Sequence, residues 1–113
     1  MCCLFGLIDY EKRLSVRQRE RMLRTLSISC EARGIDATGI AYNTGGRLKI
    51  YKRPFPAHLM RFRLPKDANI IMGHTRMTTQ GNGSKNYNNH PFSGFAGVPF
   101  ALAHNGVLHN DDT

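Results

Sequence analysis

Three short stretches carry side chains whose types could support nucleophilic chemistry. Cys2 follows the initiator methionine in MCCLFGLID. Once Met1 is removed, this residue holds a thiol and a free α-amine, and the amine has a reference pKa of about 7.7 to 8.0, so part of it is neutral near pH 7. A nucleophile and a base then share one residue, the arrangement of N-terminal nucleophiles. From position alone, a small apolar residue near a frayed end is the simpler reading. In GHTRMTTQG, Arg76 stands at the end of a strand pattern beside Thr78 and Thr79. A guanidinium there can hold a carboxylate through two parallel hydrogen bonds; a surface arginine is the plain alternative. In AHNG, Asn105 offers an amide donor and Gly106 lets its backbone N–H approach a ligand closely. Together they can hold a developing oxyanion, although the same three residues also make a good turn.

These groups need a frame, and the chain can build one. Its 113 residues set one domain, 1–113, with a modest core. A hydrophobic content of 41% with 21% charged residues is that of a globular protein. No apolar run approaches the roughly 18 residues of a membrane span, and the N-terminal apolar run is too short for a signal peptide and lacks a basic flank, so none is expected. The expectation is a cytoplasmic protein without a membrane partner. The net charge of +8 raises a nucleic-acid partner. The basic residues are dispersed through EKRLSVRQRERMLR, YKRPF and MRFRLPK, with acids between them. They read as the solvated face of a helix, with a phosphate-tracking surface as the alternative; no nucleic acid is expected. Cys2, Cys3 and Cys30 form an odd set, so no disulfide framework is expected. The spacing of cysteines and histidines forms no metal motif, and no metal or other cofactor is expected.

Residues 3–9 read as a buried strand. Ser15 and Gln18 form a capping-box start for a helix that carries Met22, Leu23, Leu26 and Cys30 on one face, opposite its arginines. Gly34 stands at the glycine position expected after a helix. TGIAYN and RLKIYK flank TGG and read as a hairpin. PFPAHLMRF reads as a short helix ended by Pro65, and NIIMGHTR as a central strand. TTQGNGSKNYNNHPFSG is too polar for a core and reads as a long functional loop. PFALAHNGVL returns to strand character. The order implies an α+β fold with a mainly antiparallel sheet.

Four segments in order resemble the class II glutamine amidotransferase domain of the N-terminal nucleophile hydrolase superfamily. They are MCCLFG, RGIDATGIAY, GHTRMTTQG followed by NNHPF, and LAHNGVLHN. The resemblance implies that Cys2 attacks the side-chain amide of L-glutamine to form a thioester, releasing ammonia and then glutamate. Asn105 and Gly106 are implied as the oxyanion hole. Arg76 is implied to hold the α-carboxylate, with Met77 and Thr79 as further substrate positions. Arg33 and Asp36 are implied to support the nucleophile's surroundings, and Asn89, His90 and Pro91 to be structural in the loop. The implied fold is an α-β-β-α sandwich with mainly antiparallel sheets.

Several positions depart from the family pattern. Cys3 replaces a glycine and adds a second thiol, Met77 replaces an aromatic residue, and Gln80 stands where histidine is common. The family domain is about twice this long, and its amine-binding aspartate lies beyond the His-Asn-Gly block. Asp111 and Asp112 are too close to that block to match it. The resemblance therefore implies an incomplete sandwich that associates with itself or with a synthase or acceptor partner. A shortened inactive relative, acting as a binding or assembly module, is the alternative reading. A basic nucleic-acid-binding protein is the third.

Overall fold

The computed structural model describes residues 3–77, 91–95 and 99–102. Strands β1 (Cys3–Ile8), β2 (Ala37–Thr44), β3 (Arg47–Arg53) and β4 (Ile70–Arg76) form an antiparallel sheet of order β1-β4-β2-β3. Helix α1 (Val16–Cys30) lies against β1 and β4. Strands β5 (Phe92–Phe95) and β6 (Pro99–Leu102) pair in a separate antiparallel ribbon. The α+β expectation holds at this level: one helix layer covers one four-stranded sheet. The remaining layers of the implied sandwich are not among the described residues.

Local chemistry explains much of this frame. The capping box starts α1, with Gln18 N–H donating to Ser15 Oγ at 3.1 Å and Ser15 N–H donating to Gln18 Oε1 at 2.8 Å. Gly45 and Gly46 both have positive φ, 54° and 72°, as the tight turn between β2 and β3 demands. β4 takes the centre and pairs with β1 on one side and β2 on the other. Phe5 stands opposite Gly73, and a Cβ on Gly73 would lie 2.1 Å from the Phe5 ring. The glycine of GHTR thus makes room for a core aromatic. Leu23, Ile40, Met60 and Ile71 are fully buried around that ring. Each such side chain contributes roughly 1.5–3 kcal/mol of burial.

Several expectations need correction. Met22 is exposed, and the buried stripe of α1 is Arg19, Leu23, Ser27 and Cys30. Arg19 turns inward because it has partners there. Its guanidinium donates to the Ala68 and Leu14 carbonyls and lies 3.5 Å from Asp9. The short helix in PFPAHLMRF is only a 3-10 turn, Ala57–Leu59. The chain then runs extended, with Met60, Phe62 and Leu64 buried and Arg61 and Arg63 exposed. Core contact for alternate residues overrides the helical reading. The last part of the polar loop is not loop, since Phe92–Phe95 pairs with Pro99–Leu102.

The cysteines also differ from expectation. Cys3 and Cys30 form a disulfide, with Cα atoms 5.5 Å apart. Antiparallel packing of α1 on β1 brings the end of the helix beside the start of the strand, within bridging range. Their sequence separation of 27 hides this. Cys30 is still a buried core residue.

Candidate functional site

Of the residues singled out for chemistry, Cys2, Thr79, His90, Asn105 and Gly106 lie outside the described residues, as do Asn89, Gln80, Asp111 and Asp112. Arg33, Asp36, Arg76, Met77 and Pro91 are within them. The structure brings most of these to one end of the sheet.

That end is built from three segments. β1 begins with Cys3, the sequence neighbour of Cys2, and Cys3 pairs with Thr75. β4 ends at Arg76, which pairs with Ala37 at the start of β2. The chain linking α1 to β2 packs across this edge. Asp36 N–H donates to the Arg76 carbonyl at 2.9 Å. Thr75 Oγ1 donates to the Cys30 carbonyl at 3.0 Å, fastening the strand to the end of α1. Three of the four segments noted in the sequence therefore meet here.

Gly34 is needed here for a different reason than the one expected. Its backbone is extended, with φ −170°. A Cβ at this position would lie 2.5 Å from the Thr75 carbonyl carbon and 2.6 Å from Arg76 N. No side chain fits between these backbones, so glycine permits the contact that fixes Arg76. The charged members of the block play unequal parts. Arg33 is exposed on the 3-10 turn Glu31–Arg33, while Asp36 is half-buried next to the strand end.

Arg76 is buried, at 6% exposure, and Met77 is half-buried immediately after it. A guanidinium is a planar fork that suits an anionic group, and Arg76 already has a partner. His74 and Thr75 are also buried. Pro91 is buried too, and its carbonyl accepts from Lys52 Nζ at 3.1 Å. Burial lowers the Lys52 pKa from its ordinary value. Sequence reasoning missed this lysine, because only the sheet register points it toward Pro91. Among the described residues, no group of three His, Cys, Asp or Glu side chains is placed to hold a metal ion. No described helix is long and apolar enough to cross a membrane.

The described frame is an α+β layer that converges the starts of β1 and β2 and the end of β4 on one edge. Comparison with known proteins gives relatives of a single kind. The chain is 33% identical over 114 residues to the glutamine--fructose-6-phosphate aminotransferase (isomerizing) of Staphylococcus epidermidis, which covers 97% of this chain and 18% of that enzyme. It is 37% identical over 83 residues to the enzyme of the same name from Neisseria meningitidis, covering 71% of this chain and 13% of the relative. With that of Chlamydia trachomatis it shares 32% identity over 112 residues, 97% of this chain and 17% of the relative. The chain thus spans less than a fifth of the length of the curated relatives it matches. No family model and no solved structure matches it.

Proposed function

We propose that this chain carries the glutamine-hydrolysing half-reaction of a glutamine amidotransferase. The observation that carries this reading is the convergence on the sheet edge. β1 starts beside Thr75, and the next residue of β4 is the buried Arg76, locked by the Gly34–Asp36 turn. Cys2 precedes β1 by one residue in the chain, so this reading takes its nucleophile and its carboxylate-binding arginine from segments that meet at one edge. The relatives, named as aminotransferases that use glutamine, support the same class.

In this reading, removal of Met1 frees the α-amine of Cys2. The amine takes the thiol proton as sulfur attacks the side-chain carbonyl carbon of glutamine. The tetrahedral oxyanion forms in reach of the Asn105 amide and the Gly106 N–H. As it collapses, the carbon–nitrogen bond breaks. The leaving nitrogen takes the proton from the α-ammonium and departs as ammonia, leaving a glutamyl thioester. Water then attacks the thioester, the amine relays its proton, and glutamate leaves with the thiol restored. Arg76 orients the substrate through its carboxylate, with Met77 and Thr79 lining the approach. The relatives' name gives fructose 6-phosphate as their acceptor.

The test is labelling by 6-diazo-5-oxo-norleucine, followed by peptide mass spectrometry, beside an ammonia-release assay. Modification confined to Cys2 of a protein lacking Met1 is expected, and Cys2→Ser removes ammonia release. A retained Met1 in an active protein, or unchanged turnover in Cys2→Ser, overturns the mechanism.

A further inference from the structure

A second feature of the molecule has no part in that chemistry. Between α1 and the extended segment 60–64 lies an open cavity of about 590 Å³. Two different backbone periods line it with positive charge. Arg17, Arg21 and Arg24 recur at helical spacing and share one face of α1. Arg61 and Arg63 alternate with the buried Met60, Phe62 and Leu64, and so stand on one side of the extended segment. All five arginines line the same space.

Their charge is not neutralised locally. Among the described residues, none of the five forms an ion pair or a side-chain hydrogen bond. Glu20 is the one acid on the wall, and its Oε2 accepts the Leu64 N–H at 2.8 Å. That bond secures the extended segment to the helix, so the acid braces the cavity. Like charges at i and i+4 on a helix repel weakly, and the single carboxylate of Glu20 faces five arginines on this wall, so a bound anion would relieve the excess. The contrast with Arg19 is direct, since its guanidinium is consumed by Asp9 and two carbonyls.

We propose that this cavity binds an organic polyphosphate, two or three linked phosphate groups on an apolar or aromatic body. Five guanidinium forks match the oxygens of a phosphate chain, each able to make paired hydrogen bonds. The volume is that of a single small-molecule site. Leu59, 58% exposed at the rim, gives the body of the ligand an apolar surface. A compact cavity with two walls favours one small ligand over a strand of nucleic acid, which needs a longer track of charge.

The experiment is calorimetric titration of the purified protein with ATP, tripolyphosphate and adenosine at low and moderate salt. ATP and tripolyphosphate are expected to bind, ATP more tightly, with affinity falling as salt rises; adenosine is expected not to bind measurably. The double variant Arg21→Gln, Arg61→Gln should weaken both phosphate ligands by about tenfold or more. Arg47→Gln, an exposed arginine at the β2–β3 turn, should leave them within about twofold. Circular dichroism confirms that each variant is folded. If the double variant does not fold, Arg24→Gln and Arg63→Gln singly replace it. Absence of binding at millimolar ligand overturns the proposal. So does equal weakening by Arg47→Gln, which marks diffuse charge. Tighter binding of a single-stranded oligonucleotide than of ATP also overturns it, in favour of a nucleic-acid surface.

Discussion

The two ends of the four-stranded sheet are held together by different means. At the end where β1 finishes and β4 begins, side chains do the fastening. Asp9 accepts the Arg13 and Leu14 N–H groups, both at 2.9 Å, and faces Arg19. Asn69 Nδ2 donates to the Asp9 carbonyl, and Asn43 Oδ1 accepts the Asn69 and Ile70 N–H groups. Asp67 ties down Thr44 and Gly45. Every one of these polar groups is occupied with structure. At the opposite end, backbone meets backbone: Gly34 lies on Thr75 and Arg76, and Asp36 N–H bonds the Arg76 carbonyl. A disulfide from Cys3 to Cys30 adds the covalent link. Fastening at that edge is largely by main chain, with the Thr75 hydroxyl and the disulfide beside it, and this is what separates it from the anchor end.

The comparison breaks most sharply at Gly34. In Gly34→Ala the new Cβ meets backbone atoms that no rotamer change relieves, so the turn and β4 must part. A loss of about 3 kcal/mol in urea unfolding is expected, together with most ammonia release. Native stability and turnover in this variant would show that the turn does not fix Arg76. A smaller, one-sided effect is expected at the anchor end. Arg19→Ala leaves the Ala68 and Leu14 carbonyls short of a donor, at a cost of about 2 kcal/mol. The folded variant should keep the KM and kcat of the wild type. A change in KM would mean that the two ends are coupled.

The smallest effect is expected from acid. Burial raises the Asp9 pKa, but the Leu14 and Arg13 N–H groups and the Arg19 charge outweigh it, and the net shift is downward. Asp9 therefore contributes its stability in full above the ordinary carboxylate pKa of about 3.9. That contribution is lost as pH falls through the lower folded value. The stability gap between wild type and Asp9→Asn should hold at neutral pH and close below about pH 4. A gap independent of pH would remove Asp9 from the anchor.

Elements specified by neighbours in the chain were legible in the sequence. The Ser15–Gln18 box, the Gly45–Gly46 turn and the apolar run of β4 each act over a few residues. What was not legible depends on distant partners. Nothing near Arg19 announces that Asp9 and Ala68 wait for it across the core, so Met22 looked like the better inward residue. Residues 57–64 have helical composition, yet Met60, Phe62 and Leu64 are drawn inward alternately by the sheet and α1. Cys30 could be read as small and apolar; its bond to Cys3 needed the packing of α1 on β1. Of the candidate site, the order of the segments along the chain was legible, and three of them meet at one sheet edge, while Cys2, Asn105 and Gly106 lie outside the described residues. The role of Gly34 was not legible, because close approach leaves no local signature.

The register Cys3↔Thr75 also sets a clock. The β2–β3 hairpin closes across two glycines, a local event, whereas β1 must wait for nearly the whole described chain before β4 exists to receive it. During synthesis the first strand is made first and docks only after β4 has been made. Pulse-labelled hydrogen exchange during refolding should find the β2–β3 amides protected before those of β1. The edge that holds Arg76 is therefore assembled late, on a schedule set by topology.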